Sequence, residues 1–382
     1  MSEDVVIKRV EAFVFRHPIA KPVATSFGVM RDRPAVFVRL EDQHGAFGWG
    51  EIFANWPVAG AEHRARLLDM DIADLVLGLH LSKPSELFSK LSPDTHVRAV
   101  QCGELGPFRQ VIAGLDAASW DLFARKRGLP LRQLLREKSS HAVPVYASGI
   151  AIHNAVKEIP KARMAGFSAF KVKVGFDLKT DVSELRRAAR ELGEGEALFA
   201  DANQAWHFAS AKYFVDRVAD VELGWLEEPI RVDDCADDWQ QLAEASSVPL
   251  AGGENIATTA AFENAIELGA LNVIQPDVAK WGGITGIMAV ARKALAAGRR
   301  FCPHFLGGGI GLLASAHCLA AAGGDGLLEV DLNSNPLRSA FLPDADAFSG
   351  GQLALSAAVG LGVEALPEEI LPLQTLSVSR HV

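Results

Sequence analysis

The chain has 382 residues, 49% hydrophobic and 22% charged, enough for one large domain and a smaller one, which excludes a mini-protein or a disordered tail. Its 38 Lys and Arg against 47 Asp and Glu leave a net charge of −9, which argues against a general nucleic-acid binder or a protein drawn to anionic membranes. Cys102, Cys235, Cys302 and Cys318 stand far apart with no CxxC pair and no metal-finger spacing, and read as reduced, small buried core residues in a cytosol. The start, MSEDVVIKRV, lacks the apolar core of a secretory signal, and the most apolar stretch, IGLLASAHCLAAAGG from Ile310, carries His317 and is too short to span a bilayer. The expectation is a soluble cytoplasmic protein with no nucleic-acid and no membrane partner.

Up to about residue 55 the pattern is strand-like. VVIKRVEAFVF and PAVFVRLED run in branched and aromatic residues, and AKPVATSFGVMRDR between them has turn chemistry and no period. From Ala59 to about Lys126 the period is helical, most clearly in PFRQVIAGLDAASWDLFARKRGLP, where Val111, Ile112, Leu115, Leu122 and Phe123 share a face and Gly128 to Pro130 end the helix. Residues 1–130 therefore read as an α+β domain. Eight short apolar runs follow: VPVYAS from Val143, AFKVKV from Ala169, ALFAD from Ala197, LGWLEE from Leu223, VPLAGGE from Val248, NVIQPD from Asn272, RRFCPH from Arg299 and GLLEVD from Gly326. Their starts recur every 24 to 28 residues with helical stretches between, one β-turn-α unit each, and eight such units close a parallel barrel over residues 143–331. The alternative, a doubly wound open sheet, requires GxGxxG after the first strand, where GIAIHNAV stands instead. Residues 332–382, rich in Pro and Leu, are expected to pack back on the N-terminal domain.

In a parallel barrel the C-terminal strand ends face one mouth, so polar residues there converge. Strand two offers Lys171 and Lys173, whose i, i+2 spacing points both ammonium groups the same way; like charges that close are expected to lower each other's pKa toward that of a neutral-pH base. Asp201, Glu227 and Glu254 end strands three, four and five, 26 and 27 residues apart, and Glu228 follows Glu227. Three carboxylates in register would repel unless a cation sat among them, and hard oxygen donors at an open site suit Mg²⁺ or Mn²⁺. Strands six and seven end in Asp277 and His304, a pair in which a carboxylate would fix one imidazole nitrogen and raise the basicity of the other. Strand eight offers Glu329, a hydrogen-bond donor to substrate if its pKa is raised, with Asp331 a neighbouring candidate of the same chemical type.

With these residues in place, the chain resembles the mandelate racemase-like subgroup of the enolase superfamily over nearly its whole length. The strings that carry the resemblance are GWGE at Gly48–Glu51, KVK at Lys171–Lys173, DAN at Asp201–Asn203, WLEEP at Trp225–Pro229, GGEN at Gly252–Asn255, PDVAKWGGITG from Pro276, Pro303-His304 and LLEVD from Leu327. No single string decides it; their order and spacing do. The resemblance implies an enolase-like modified (β/α)8 TIM barrel with an N-terminal α+β capping domain, and a homo-oligomer. It also implies metal ligands Asp201, Glu227 and Glu254 for Mg²⁺, with Mn²⁺ as a substitute, and Lys173 as base on one substrate face with Lys171 tuning it. The His304–Asp277 dyad would serve the opposite face, Asn203 the ligand shell, and Glu329 the substrate carboxylate. Lys280 matches the second base of muconate-lactonising relatives and is the alternative to His304.

The reaction so implied is abstraction of the α-proton of a small-molecule carboxylate to give an enediolate. Its leading outcome is dehydration of an acid sugar to a 2-keto-3-deoxy acid; the alternative is racemisation or epimerisation of a 2-hydroxy acid. A Schiff-base aldolase would use a lysine without needing three acidic strand ends, and a catalytically silent binding barrel would not retain an apt residue at every position. Specificity is expected in the cap loops, which offer Phe27, Met30, Phe53 and Trp56 for apolar contacts and Arg31, Arg33, Asn55 and Arg64 for hydroxyls or a distal carboxylate. Many of the 34 glycines, GGGIG after His304 included, are expected to ring the barrel mouth.

Overall fold

The structure, a computed structural model, describes residues 4–25, 28–342 and 347–382. Strands β1 (Val5–Thr25), β2 (Gly28–Asp42) and β3 (Phe47–Ile52) form an antiparallel meander, with the short β4 (His80–Leu81) on the start of β1. The segment Ala20–Arg33, expected as an aperiodic turn, is instead mostly the two arms of the β1–β2 hairpin, paired through Val23–Met30 and Ala24–Val29 beyond a register break after Pro18. Pro18 and Pro22 remove ladder donors and interrupt the pairing, which is why the run lacks a strand period although the chain stays extended.

Helix Leu105–Lys126 lies across β3 and is buried on most of its circumference, because it is enclosed between the cap sheet and the barrel. The close approach depends on GWGE: a Cβ on Gly50 would run into the Gly114 carbonyl, and one on Gly48 into the Ala118 carbonyl. Backbone atoms cannot yield as a flexible side chain would. Gly50→Val is therefore expected to lower the melting temperature by about 5 °C or more, measured by calorimetry.

The eight expected barrel strands all form: β5 (Ala142–Ala151), β6 (Ala169–Lys173), β7 (Ala197–Asp201), β8 (Leu226–Glu227), β9 (Leu250–Gly252), β10 (Val273–Ile274), β11 (Arg300–Phe301) and β12 (Leu328–Asp331). They pair in parallel in chain order, and β12 returns beside β5, as a modified TIM barrel requires. Between β11 and β12, Leu327 N–H donates to Cys302 Sγ at 3.3 Å, and Gly326 has no room for a Cβ against the Phe301 carbonyl. Below the mouth the barrel is filled by Tyr146, Phe199, Trp225, Ala251, Val273 and Cys302, with the Phe199 and Trp225 rings stacked at 3.5 Å between centroids.

The C-terminal part divides. Strand β13 (Gln352–Ala354) adds antiparallel to β5, and β14 (Gln374–His381) pairs with β1 of the cap sheet. The expectation that all four cysteines are buried holds for Cys302 and Cys318 only; Cys102 and Cys235 are exposed, and all four thiols are free. Cys102 follows the last turn of helix Glu86–Gln101 and Cys235 precedes helix Ala236–Ala245, so both sit at helix ends that face solvent. Among the described residues no helix is long and apolar enough to cross a membrane.

Candidate active site

The C-terminal ends of β6 to β12 carry a contiguous cluster of buried charges. Lys171 on β6 is fully buried, with Nζ 2.7 and 2.8 Å from the two carboxylate oxygens of Glu227, 2.8 Å from Glu329 and 3.5 Å from Asp201. Two residues on, and one layer nearer the mouth, Lys173 Nζ is 2.5 Å from Asp201 Oδ2 and 2.9 Å from Asn203 Oδ1. The expected mutual lowering of the two ammonium pKa values does not prevail. Burial pulls both down and Lys171 pulls Lys173 down further, but Glu227 and Glu329 around Lys171, and Asp201 beside Lys173, outweigh those effects and hold both groups above the usual lysine range. The neighbouring carboxylates, invisible in a dipeptide spacing, decide the sign.

The carboxylates differ from one another for equally local reasons. Burial, then the charge of Asp201, pushes Glu227 up to about 7, whereas in Asp201 burial is outweighed by Lys173 and Lys171 and the pKa falls. Glu254 is held well below the usual carboxylate range because His304 and Lys280 outweigh its burial. Glu228, a fourth buried carboxylate, has left-handed backbone (φ 39°), accepts both of its hydrogen bonds from Asn255 Nδ2 at 2.9 and 3.0 Å, and is pushed up to about 8 by burial and by Glu254.

On the far side of these carboxylates, Asp277 and His304 form a β-bridge, and Asp277 Oδ2 lies 2.7 Å from His304 Nδ1. Asp277 Oδ1 accepts the N–H groups of Ala279 and Lys280 at 2.8 and 3.0 Å, which fixes the carboxylate behind the ring. His304 Nε2 pairs with Glu254 and stands 3.6 Å from Glu329. Burial lowers the imidazole pKa, but Glu254 and Glu329 outweigh it and hold it well above the usual histidine value. Lys280 Nζ reaches the same Glu254 at 3.1 Å and Asn255 Oδ1 at 3.2 Å, so both candidates for the second base stand at one mouth.

Between the two candidates on strand eight the geometry is decisive. Glu329 points inward onto Lys171 and accepts the Ser148 hydroxyl at 2.5 Å, while Asp331 is taken up by Arg33 at 2.9 Å and Arg338 at 3.5 Å. The expected raised pKa of Glu329 is not found: burial pushes it up, Lys171 and His304 outweigh burial, and the group is an ionised acceptor rather than a donor. Arg33 and Arg64, expected at the substrate, are buried elsewhere, Arg33 on Asp331 and Arg64 on Gln110 at 2.9 Å and on the Trp56 carbonyl at 3.1 Å. Trp56 lies over Gly28 of the hairpin, where a Cβ would come within 2.6 Å of its ring, and Phe27 falls outside the described residues.

Three further contributors were not singled out in the sequence. Ser148 on β5 holds Glu329, Gln275 donates to Glu227 at 2.7 Å, and Glu51 accepts the N–H groups of Gly308 and Gly311. Gln275 and Ser148 lie at strand ends that the register arithmetic already covered, but they carry no charge to draw notice. Of the glycines, Gly307 to Gly309 do lie at the mouth beside His304, whereas Gly45, Gly78, Gly103 and Gly298 occupy open left-handed turns far along the chain.

Among the described residues no three His, Cys, Asp or Glu side chains are placed to hold one ion; ammonium and imidazole groups stand between the carboxylates. The donor chemistry nevertheless suits a hard dication. Asp201, Glu227, Glu228 and Glu254 bring four buried carboxylates to three adjacent strand ends, and burial and mutual repulsion push two of them to about 7 and 8.

Residues 154–369 match the model of enolase C-terminal domain-like proteins, and residues 9–136 that of the mandelate racemase / muconate lactonizing enzyme N-terminal domain. The chain belongs to the mandelate racemase/muconate lactonizing enzyme family of the enolase superfamily. Within it, a crystal structure described as a mandelate racemase/muconate lactonizing enzyme from Bordetella bronchiseptica is 46% identical, covers 95% of this chain and 97% of its own, and superposes with a TM-score of 0.89. A 3,6-anhydro-alpha-L-galactonate cycloisomerase from Streptomyces coelicolor is 32% identical over 76% of this chain and 80% of its own length. A racemase from Streptomyces coelicolor solved with bound magnesium is 26% identical, with a TM-score of 0.84 over 97% of this chain and all of its own. Other members of the family among the relatives are acid-sugar dehydratases, a racemase and an epimerase, all of them enzymes. The mandelate racemase-like subgroup pattern, a KxK strand with a His–Asp pair, is complete in this chain.

Proposed function

We propose that the protein abstracts the α-proton of a small carboxylate and dehydrates an acid sugar to a 2-keto-3-deoxy acid. One observation carries the reading. Two proton carriers, Lys173 on β6 and His304 after β11, flank the carboxylates of β7, β8 and β9 from opposite sides of the same mouth. Asp201, Glu227 and Glu254 would hold Mg²⁺, with Mn²⁺ as a substitute. Bound there, the dication supplies positive charge to the substrate carboxylate as the enediolate develops.

The chain's own residues do the rest. Neutral Lys173 takes the C2 proton, and Lys171, fixed by Glu227 and Glu329, places positive charge beside the developing oxyanion. The His304 imidazolium, oriented by Asp277, gives its proton to the C3 hydroxyl as the C3–O bond breaks, and water leaves. The resulting enol tautomerises, with C3 taking a solvent proton and C2 becoming the ketone. Without a β-hydroxyl, His304 instead returns a proton to C2 on the opposite face, which is racemisation or epimerisation. The cap loops, with Trp56 and Phe27, would select the acid, and four unpaired thiols suit a cytoplasmic setting. A screen of mono- and diacid sugars for 2-keto acid formation, with simple 2-hydroxy acids followed for inversion, tests the reading. A 2-keto-3-deoxy product is the expected result; inversion alone would make the enzyme a racemase or epimerase, and borohydride-trapped Schiff base on Lys173 would make it an aldolase.

A further inference from the structure

Cap residues Glu51, Phe53 and Asn55 alternate along one extended run, so their side chains fall on one face, and that face meets the barrel mouth. Glu51 is fully enclosed and its two oxygens accept Gly308 N–H at 2.5 Å and Gly311 N–H at 2.8 Å, at the start of helix Gly309–Ala322. Asn55 Nδ2 donates to the Leu306 carbonyl. The Phe53 N–H donates to the Ala279 carbonyl at 3.3 Å, and its ring lies 5.0 Å below Lys280 Nζ. The loop that leaves His304 is thus gripped at Leu306, Gly308 and Gly311, and the loop that leaves Asp277 at Ala279 and Lys280. Gly307 and Gly308 let the backbone wrap this carboxylate: a Cβ on either would come within 2.9 Å of Glu51 Oε1. On the opposite side of the mouth, the printed partners of Lys171 and Lys173 are all barrel residues.

We infer that the cap strip Glu51–Phe53–Asn55 is a positioning device for the His304–Asp277 side of the site, and that Glu51, by binding the glycine-rich loop after β11, sets the placement of His304 while leaving Lys173 to the barrel. GGGIG then has a role: it is the barrel's receptor for a cap carboxylate. The strip also joins the domain expected to select substrate to the residue that protonates the leaving group or the second face. The mechanistic meaning rests on the reading of His304 as an acid/base, but the placement itself is measurable without turnover.

The test uses the full chain labelled with ¹⁵N-histidine, with the His304 signal assigned by its loss in His304→Asn, together with amide hydrogen exchange read by mass spectrometry. Glu51→Ala is expected to speed exchange across residues 305–311 at least tenfold and to broaden or shift the His304 Nδ1–H resonance, with peptides covering β6 and β7 unchanged. Glu51→Gln, which keeps one acceptor, should restore part of the protection. Should Glu51→Ala fail to fold, Asn55→Ala, which removes the Leu306 contact alone, is expected to show the same local loosening. An unaltered His304 resonance in a folded variant, or equal loosening of β6 and β7, overturns the inference. Normal placement effects in a protein that turns over no sugar acid would refute the proposed function and leave the strip's role standing.

Discussion

Replacing Lys173 by alanine is expected to lower turnover by about three orders of magnitude and to stop exchange of the substrate α-hydrogen with solvent deuterium for one C2 configuration, while His304→Asn stops it for the other. The two residues stand on opposite sides of the carboxylate cluster, so each can reach one substrate face only. Lys173 is the cleaner of the two lysines to remove. Asp201 keeps Lys171 at 3.5 Å after its loss, whereas removing Lys171 would strip cations from Glu227 and Glu329 together. Deuterium incorporation into each configuration, followed by mass spectrometry, separates the two roles. Loss of exchange for both configurations in His304→Asn would mean that His304 alone carries the proton; unchanged exchange in both variants would refute the face assignment, and Lys280 would be the next residue to test.

Exhaustive chelation is expected to abolish turnover, with Mg²⁺ restoring it, and Mg²⁺ at about 100 times its dissociation constant should stabilise the fold by about 2.7 kcal/mol, seen as a rise in melting temperature. The physical source is the buried negative charge on β7 to β9, where Glu227 and Glu228 are pushed to about 7 and 8 with ammonium groups already among them. Glu254→Gln removes one oxygen charge and should raise the Mg²⁺ concentration needed for both effects by tenfold or more. Full turnover after chelation, or a melting temperature indifferent to Mg²⁺, would refute the ligand assignment.

Much of the barrel and of the site was legible because register arithmetic is rigid. One β-turn-α unit per 24 to 28 residues placed all eight strands, and equal intervals placed Asp201, Glu227, Glu254, Asp277 and His304 on successive strand ends. What misled was chemistry set by residues distant in the chain. The two lysines were read against each other, yet carboxylates 28 to 158 positions away set their protonation, through Asp201 for Lys173 and Glu329 for Lys171. Glu329 was read as a donor because burial raises a carboxyl pKa; its partners Lys171 and His304 reverse that. Arg33 and Arg64 were read as loop charges, but each lies folded inward on a partner that only the tertiary structure brings near, Asp331 across 298 positions in the first case. Uncharged Ser148 and Gln275 escaped a search keyed to ionisable residues.

The central claim is that a proton leaves the carbon next to a carboxylate. Incubating the Mg²⁺-loaded enzyme with sugar acids in deuterium oxide, and locating the label by NMR, tests it directly. The account predicts one solvent deuterium at C3 of a 2-keto-3-deoxy product, or at C2 of an inverted substrate. Conversion of any acid to a product with no deuterium at either carbon would contradict it.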